Sequence, residues 1–142
     1  MPKFTKALAK TFKKQKNVKI LPVAVGSKES KALMFDGSFG SVIDNRKEGV
    51  KIKITTMDNL FYKKNLPVTY IKADLEGWEL EMLKGAKNTI KKYKPKLAIT
   101  SYHNKGDHIK IKNYLKKICP SYNFKFKGLD RHTGNPMMIH AW

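Results

Sequence analysis

The sequence is poor in cysteine and has no long apolar run. Cys119 is the only cysteine among 142 residues, so no internal disulfide framework can form. No run of about 18 apolar residues is available to span a membrane, and no apolar segment follows the first residues as in a secretory signal. These absences fit a reducing, cytoplasmic location, which is the expectation.

Acidic residues and arginines are also scarce. The chain carries 30 basic and 11 acidic residues, a net charge of +19, yet only Arg46 and Arg131 are arginines. A large positive charge fits a polyanionic partner. However, sites that make base-specific contacts or bind phosphate through two hydrogen bonds favour arginine over lysine. The lysines are spread along the chain, so compositional bias is favoured over a specific nucleic-acid site, and non-specific polyanion binding stays open.

Motifs of several other chemistries are missing. The sequence contains no Walker loop, no G-x-S-x-G, no C-x-x-C and no zinc pattern. It also has no glycine-rich G-x-G turn after a first strand, because no clear helix follows Gly37 and Gly40. The spacing of the histidines matches no strong metal motif, so no metal is predicted.

Hydrophobic patterning predicts one α/β domain over residues 1–142. From residue 68 onward strand and helix follow one another, which is typical of a partly parallel sheet with helices on its faces. In the first half, the pattern predicts a helix over 3–14, strands over 18–25 and 50–54, and short strands with tight turns at Gly37 and Gly40. In the second half, it predicts a strand over 68–73, a helix over 80–93 and a strand over 97–101. A helix capped by Asp107 and ended by Pro120 follows, and then a closing hairpin of 122–126 with 137–141.

Polar side chains follow the first two strands of the second half. Lys72 and Asp74 share a face, because side chains two apart on a strand point the same way, and Glu76 joins them where the chain stays extended. Gly77 lets backbone or ligand approach closely. If the two strands are neighbours, His103 at the end of the second one faces Asp74 and Glu76, at the strand ends where ligands of open α/β sheets bind.

Each of these residues also has a purely structural interpretation. Acids such as Glu76 and Glu79 favour the first turn of a helix, where they interact with its dipole. Asp74 is suited to capping that helix, with Lys72 as its ion-pair partner. A histidine at a strand end is more often a hydrogen-bonded loop residue than a base. The residues therefore form a candidate site only as a group.

The stretch TYIKADLEGWELEMLKGAKNTIKKYKPKLAITSYH, residues 69–103, resembles the signature half of FkbM-type methyltransferases, which depend on S-adenosylmethionine. The shared pattern is I-K-x-D-x-E-G-x-E, then L-x-G-A, K-P-x-L-A-I and a terminal histidine. Residues 17–27 (NVKILPVAVGS) resemble the family's N-V-x-x-x-x-x-A-V-G strand, and residues 54–60 resemble its T-x-D-x-L segment. The resemblance implies an incomplete Rossmann-like methyltransferase fold with a C-terminal antiparallel hairpin.

The resemblance stops at the amino end. The family's first strand carries a D-x-G-A-x-x-G turn that holds the methionine part of the cofactor, and its second strand ends in an acid that binds the ribose. Neither segment has a counterpart here, so an N-terminally truncated methyltransferase domain is expected. The alternatives are an incomplete reading frame, a partner that supplies the missing segment, or a degenerate homologue.

The resemblance implies methyl transfer from S-adenosylmethionine to a hydroxyl of a sugar or another small molecule. His103 would act as general base, because an imidazole suits proton removal near neutral pH. Ala24 and Val25 would lie near the adenine. The predicted catalytic residues are His103, Glu76 and Asp74, and the predicted cofactor-binding residues are Ala24, Val25, Asp74 and Gly77.

The alternative function is that of a basic, non-catalytic protein that keeps a degraded methyltransferase fold. Lysine-rich faces interleaved with Tyr122, Phe124 and Phe126 would then contact a nucleic-acid strand or another polyanion. The same three aromatic residues are also explained as the core face of a strand, which is the favoured interpretation.

Overall fold

The computed structural model describes residues 2–36, 41–44 and 49–142. These residues form two compact units, each described by itself below. The first unit comprises Met1–Ala24 with Glu29–Ile54, and the second comprises Val25–Lys28 with Thr55–Trp142. The single domain over 1–142 stays a prediction, and the turns predicted at Gly37 and Gly40 lie outside the described residues.

The first unit is built on a sheet whose central strand pairs antiparallel with two neighbours. Helix α1 (Pro2–Thr11) precedes four strands whose spatial order is β1-β4-β2-β3. The central strand β2 pairs antiparallel with both β3 and β4, so that Met34 lies opposite Ile43 on one side and Val50 on the other. The strands are β1 (Ala24–Val25), β2 (Ser30–Asp36), β3 (Ser41–Asp44) and β4 (Val50–Thr55).

Two elements of this region are shorter than predicted. Helix α1 ends at Thr11 rather than at residue 14. Beyond it the Lys13 N–H donates a hydrogen bond to the carbonyl three residues earlier, Lys10 O, at 3.4 Å, as in a 3₁₀ turn. The strand predicted over 18–25 pairs only at Ala24–Val25, because Pro22 has no N–H to donate to a ladder. The alternating strand predicted from Val50 is confirmed as β4.

The second unit contains a mixed sheet in the order β5-β6-β8-β7. Strands β5 and β6 are parallel, with Ile71 opposite Leu97. Strand β8 runs antiparallel to β6 and forms a hairpin with β7. The predicted parallel portion and closing hairpin are therefore confirmed. The strands are β5 (Tyr70–Ala73), β6 (Lys96–Thr100), β7 (Phe124–Leu129) and β8 (Pro136–Ala141).

The single helix predicted over 80–93 is wrong, because the chain forms two helices that separate at Gly85 and Ala86. In a continuous helix the Thr89 N–H would donate to the Gly85 carbonyl. It donates instead to Asp58 Oδ1 at 2.7 Å, and the Gly85 carbonyl accepts the Asp58 N–H at 2.8 Å. The Asp58 carboxylate also accepts the Asn88 N–H at 3.0 Å, so Asp58 caps the second helix from outside.

The helices of the second unit are α2 (Met57–Leu60), α3 (Glu79–Lys84), α4 (Lys87–Tyr93) and α5 (Asp107–Ile118), and a 3₁₀ turn spans Tyr62–Lys64. Helix α5 begins at Asp107, so the capping position belongs to Gly106 rather than to Asp107 as predicted. The Asp107 carboxylate instead accepts hydrogen bonds from Asn104 N at 3.1 Å and from Asn104 Nδ2 at 2.9 Å.

No helix in the described part of the chain is both long and apolar enough to cross a membrane.

The core of the second unit lies between one face of its sheet and helices α3, α4 and α5. Helix α5 buries the face predicted from its periodicity, with Ile111, Leu115 and Ile118 inside. Burying each such side chain stabilises the fold by about 1.5–3 kcal/mol. Tyr122 is also buried, and its hydroxyl donates to Pro95 O at 2.6 Å. The predicted core face is confirmed for Tyr122 and for Phe124, which packs partly buried against the core, and is wrong for Phe126, which is 38% exposed.

Two glycines of the second unit pack backbone against backbone. A Cβ atom added at Gly85 would stand 1.9 Å from the Gly26 carbonyl oxygen and 3.3 Å from Thr56 Cβ. Gly26 belongs to the A-V-G segment and Gly85 to the L-x-G-A segment of the sequence pattern. The contact therefore explains why a residue without a side chain occupies position 85.

We expect Gly85→Ala to destabilise the chain by about 3 kcal/mol, because the added methyl group meets backbone that cannot rotate away. Chemical denaturation monitored by circular dichroism measures the loss. The matched control is Gly134→Ala, where φ is +67° and no atom lies within 4 Å of the added Cβ. That variant should lose only about 1 kcal/mol, from backbone strain. Equal losses in the two variants would contradict the proposed contact.

Candidate functional site

A single imidazole lies among carboxylates at the carboxyl ends of β5 and β6. Because these strands are parallel neighbours, the residues that follow them meet at the same edge of the sheet. His103 Nε2 lies 3.6 Å from Asp74 Oδ1 and 3.5 Å from Glu76 Oε2. The structure thus brings together the three residues predicted to be catalytic, and their roles stay predictions.

Glu76 reaches this cluster through a turn rather than through an extended strand. Strand β5 ends at Ala73, and the chain turns so that Trp78 N donates to Leu75 O at 3.1 Å. Glu76 has φ +54°, a conformation that is uncommon for residues other than glycine. The chain does not stay extended, and Glu76 joins the cluster because the turn folds it back beside Asp74.

Glu79 is a buried acid of this site, although its place in the sequence indicated only an interaction with the helix dipole. Its side chain is 1% exposed, and Oε1 accepts Leu75 N and Thr100 Oγ1, each at 2.7 Å. The same oxygen lies 3.2 Å from His103 Nδ1. A signal was available in the sequence, because Glu79 is the last acid of the I-K-x-D-x-E-G-x-E pattern.

His103 is nearly enclosed, and its side chain is 10% exposed. Both ring nitrogens are buried and make no hydrogen bond within the described residues, although carboxylate oxygens lie 3.2–3.6 Å away. The ring stacks at a tilt on Tyr102, with the ring centroids 4.3 Å apart. Burying a polar atom without a hydrogen bond destabilises the fold, so a ligand that hydrogen-bonds to either nitrogen would offset that cost.

Tyr102 adds a neutral hydroxyl to the same neighbourhood. Burial raises the pKa of its phenol, and the carboxylates of Asp74 and Glu76 raise the pKa further by disfavouring a second negative charge. Tyr102 therefore remains a hydrogen-bond donor at neutral pH.

Gly77 is approached by a side chain of the protein. Its φ is +92°, and an added Cβ would stand 2.6 Å from Asn104 Nδ2, which itself lies 3.5 Å from Gly77 O. The sequence predicted a close approach at Gly77 but gave no indication of Asn104. The Asn104 amide also contacts Asp107, so it joins the loop after β5 to the start of α5.

The cluster also has the geometry to hold a cation. One ligand atom each of Asp74, Glu76 and His103 lies within 4.8 Å of the other two. Two ligands of an octahedral divalent ion at about 2.1 Å lie roughly 3.0–4.2 Å apart, which spans the distances between Nε2 and the two carboxylates. The sequence predicted no metal. The geometry of these three side chains is compatible both with a general base at His103 and with a bound cation.

Three predicted residues are not part of this cluster. Ala24 belongs to the first unit, where it lines a largely apolar depression of about 530 Å³. Val25 belongs to the second unit and packs, partly buried, against the core of that unit. Lys72 is exposed, and within the described residues it forms no ion pair with Asp74. The structural interpretation of Lys72 as a partner of Asp74 is therefore wrong.

The arrangement can accept a proton and attract a positively charged group. Glu79 lies on the Nδ1 side of His103 and can hold a proton there, which leaves Nε2 as the basic nitrogen. Asp74 and Glu76 lie on the Nε2 side and are both partly exposed, so they can face a ligand. A proton acceptor flanked by carboxylates suits a reaction that removes a proton close to a cationic reactant.

Comparisons with known proteins point to one family. The crystal structure of methyltransferase FkbM from Methylobacillus flagellatus KT matches 99% of this chain with a TM-score of 0.70 and 24% sequence identity, and the chain spans 33% of that protein's length. A search of curated proteins gives no significant match. The family model described as methyltransferase FkbM domain matches residues 9–126. The chain therefore belongs to the FkbM methyltransferase family.

Proposed function

We propose that the chain takes part in transfer of a methyl group from S-adenosylmethionine to a hydroxyl of a sugar or another small molecule, on a Rossmann-like fold. Membership of a methyltransferase family supports the general reaction. The observation that carries the proposal is the His103 imidazole, whose buried nitrogens make no hydrogen bond within the described residues. A hydroxyl that enters the cluster would supply the missing partner.

The residues at the end of β5 fit a cationic cofactor. Asp74, Glu76 and Glu79 surround the imidazole with carboxylates, in a chain whose net charge of +19 would otherwise repel a sulfonium. Asp74 and Gly77 are the proposed contacts of the cofactor at this edge. Val25, which packs against the core of the second unit, is the proposed apolar contact of its adenine ring. The adenine contact predicted for Ala24 stays a prediction.

When bound, the cofactor supplies an electrophilic methyl group: the hydroxyl oxygen bonds to the methyl carbon as the carbon–sulfur bond breaks and a neutral thioether leaves. The work of this chain is to align the acceptor and to remove its proton. His103 Nε2 takes that proton, while the Glu79 carboxylate, 3.2 Å from Nδ1, stabilises the positive charge that the ring then carries. Because Nε2 is covered in the present arrangement, Asp74 or Glu76 must turn aside to admit the hydroxyl.

We expect calorimetric titration to show S-adenosylmethionine binding that persists when salt is raised, because short directed contacts are screened less than distant charges. Asp74→Asn should weaken the affinity about tenfold, which corresponds to loss of one charge-assisted hydrogen bond. The matched control is Asp130→Asn, which removes the same charge from the turn between β7 and β8. A folded wild-type chain that binds no cofactor would contradict cofactor binding by this chain alone.

We expect His103→Gln to lower turnover by at least about 100-fold, because it removes the proton acceptor, while cofactor affinity changes less than about twofold. Turnover is followed as S-adenosylhomocysteine released with a panel of sugar hydroxyl acceptors. His132→Gln, on an exposed turn, is the control and should retain activity. Unchanged turnover in His103→Gln would eliminate His103 as the base.

A chelator distinguishes a base from a metal ligand at the same three residues. If His103 is the base, exhaustive treatment with EDTA should leave turnover within about twofold, because Nε2 must be free to accept a proton. Loss of turnover that Mn²⁺ or Mg²⁺ restores, and that Glu76→Gln abolishes, would show that the cluster coordinates a cation instead. Glu81→Gln is the matched control, since Glu81 already pairs with Lys84 outside the cluster.

A further inference from the structure

The two faces of the sheet in the second unit differ in character. Side chains alternate between the faces along each strand, and Ile71, Leu97, Ile139 and Phe124 point into the core under the helices. The other face presents Tyr70, Lys96, Lys125, Lys127, His140 and Trp142, which together line a shallow depression of about 340 Å³. We call these six residues the lysine face.

The registers of the strands place these residues next to one another. Tyr70 is paired with Lys96 across the parallel strands, and Leu97 pairs with Ala141, so Lys96 and Trp142 are also neighbours. Lys125 is paired with His140 across the hairpin. Adjacent strands lie about 4.8 Å apart, so aromatic and basic side chains alternate across the surface at short range.

The lysine face has no acidic counterpart in its own sheet. The four strands contain no aspartate or glutamate. Among the residues that the structure describes, none of Lys96, Lys125 and Lys127 forms an ion pair, whereas Lys84 and Lys110 on the helices do. The positive charge of this surface is therefore available to an external anion.

Exposed aromatic rings distinguish the lysine face from an ordinary solvated surface. Tyr70 is 56% exposed and Trp142 is 48% exposed, so both present apolar ring area to water beside the lysines. Lysines alone would suit any polyanion. Lysines together with exposed rings suit a chain that carries both phosphates and flat bases, which can stack on aromatic side chains.

We propose that the lysine face binds single-stranded nucleic acid, with phosphates on Lys96, Lys125 and Lys127 and bases stacked on Tyr70 and Trp142. Bases in a duplex are already stacked on one another and cannot lie on these rings, so a single strand is the preferred form. The surface differs from the cluster at His103, so binding does not depend on methyl transfer. The sequence left non-specific polyanion binding open, and the lysine face is the surface proposed for it.

The first test measures the affinity for a labelled 15-nucleotide oligothymidine by fluorescence anisotropy, over a series of salt concentrations. The triple variant Lys96→Gln, Lys125→Gln, Lys127→Gln should reduce the slope of log affinity against log salt by about 2, because each phosphate that a lysine neutralises adds about 0.7 to that slope. The control triple variant Lys87→Gln, Lys91→Gln, Lys116→Gln removes the same charge from exposed helix positions and should leave the slope nearly unchanged. Equal reduction in both would overturn the proposal.

The second test separates base stacking from charge. Tyr70→Ala and Trp142→Ala should each weaken oligothymidine binding about fivefold or more without changing the salt slope. Neither should alter binding of dextran sulfate, which has charge but no bases. Unchanged oligothymidine affinity, or equally tight binding of dextran sulfate or duplex DNA, would overturn the proposal. Circular dichroism melts verify that each variant is folded, which is expected because neither side chain belongs to the buried core.

Discussion

The arrangement of the candidate site depends on one buried carboxylate. Glu79 accepts hydrogen bonds from the Leu75 backbone and the Thr100 hydroxyl, and it faces His103 Nδ1 at 3.2 Å. It therefore joins the turn after β5, the end of β6 and the imidazole. Burying a charge is costly unless hydrogen bonds satisfy it, so these contacts reinforce one another. Without Glu79 the two strand ends would still be neighbours, but the orientation of His103 would lose its nearest support.

A second constraint acts on the backbone around the helices of the second unit. Gly85 touches the Gly26 carbonyl, and the adjacent Asp58 caps α4 through Asn88 and Thr89. The two contacts explain why one apolar stripe with helical spacing becomes two helices. Gly85 is also the C-terminal cap of α3, whose first residue is Glu79, so the packed glycine and the buried acid lie at opposite ends of one short helix.

Much of the local structure could be predicted from the sequence. The buried face of α5, the alternation of β4 and the closing hairpin follow from periodicity, because each of these elements packs one face against a core. The break at Gly85 could not be predicted, because it is caused by Asp58, which lies far away in the sequence. The short pairing of β1 and its place at the sheet edge follow from Pro22, which has no N–H to donate to a ladder.

The sequence by itself determined the residue types of the site, since Asp74, Glu76 and His103 follow two apolar strands and lie within a family pattern that matches residues 9–126. Only the tertiary structure decided that β5 and β6 are neighbours, that Glu76 reaches the site by a turn, and that Glu79 lies behind the imidazole. It also showed that lysines and aromatic rings scattered along the chain share one face of a sheet. The reason is that periodicity is a local property, whereas pairing, burial and shared surfaces are set by contacts between distant segments.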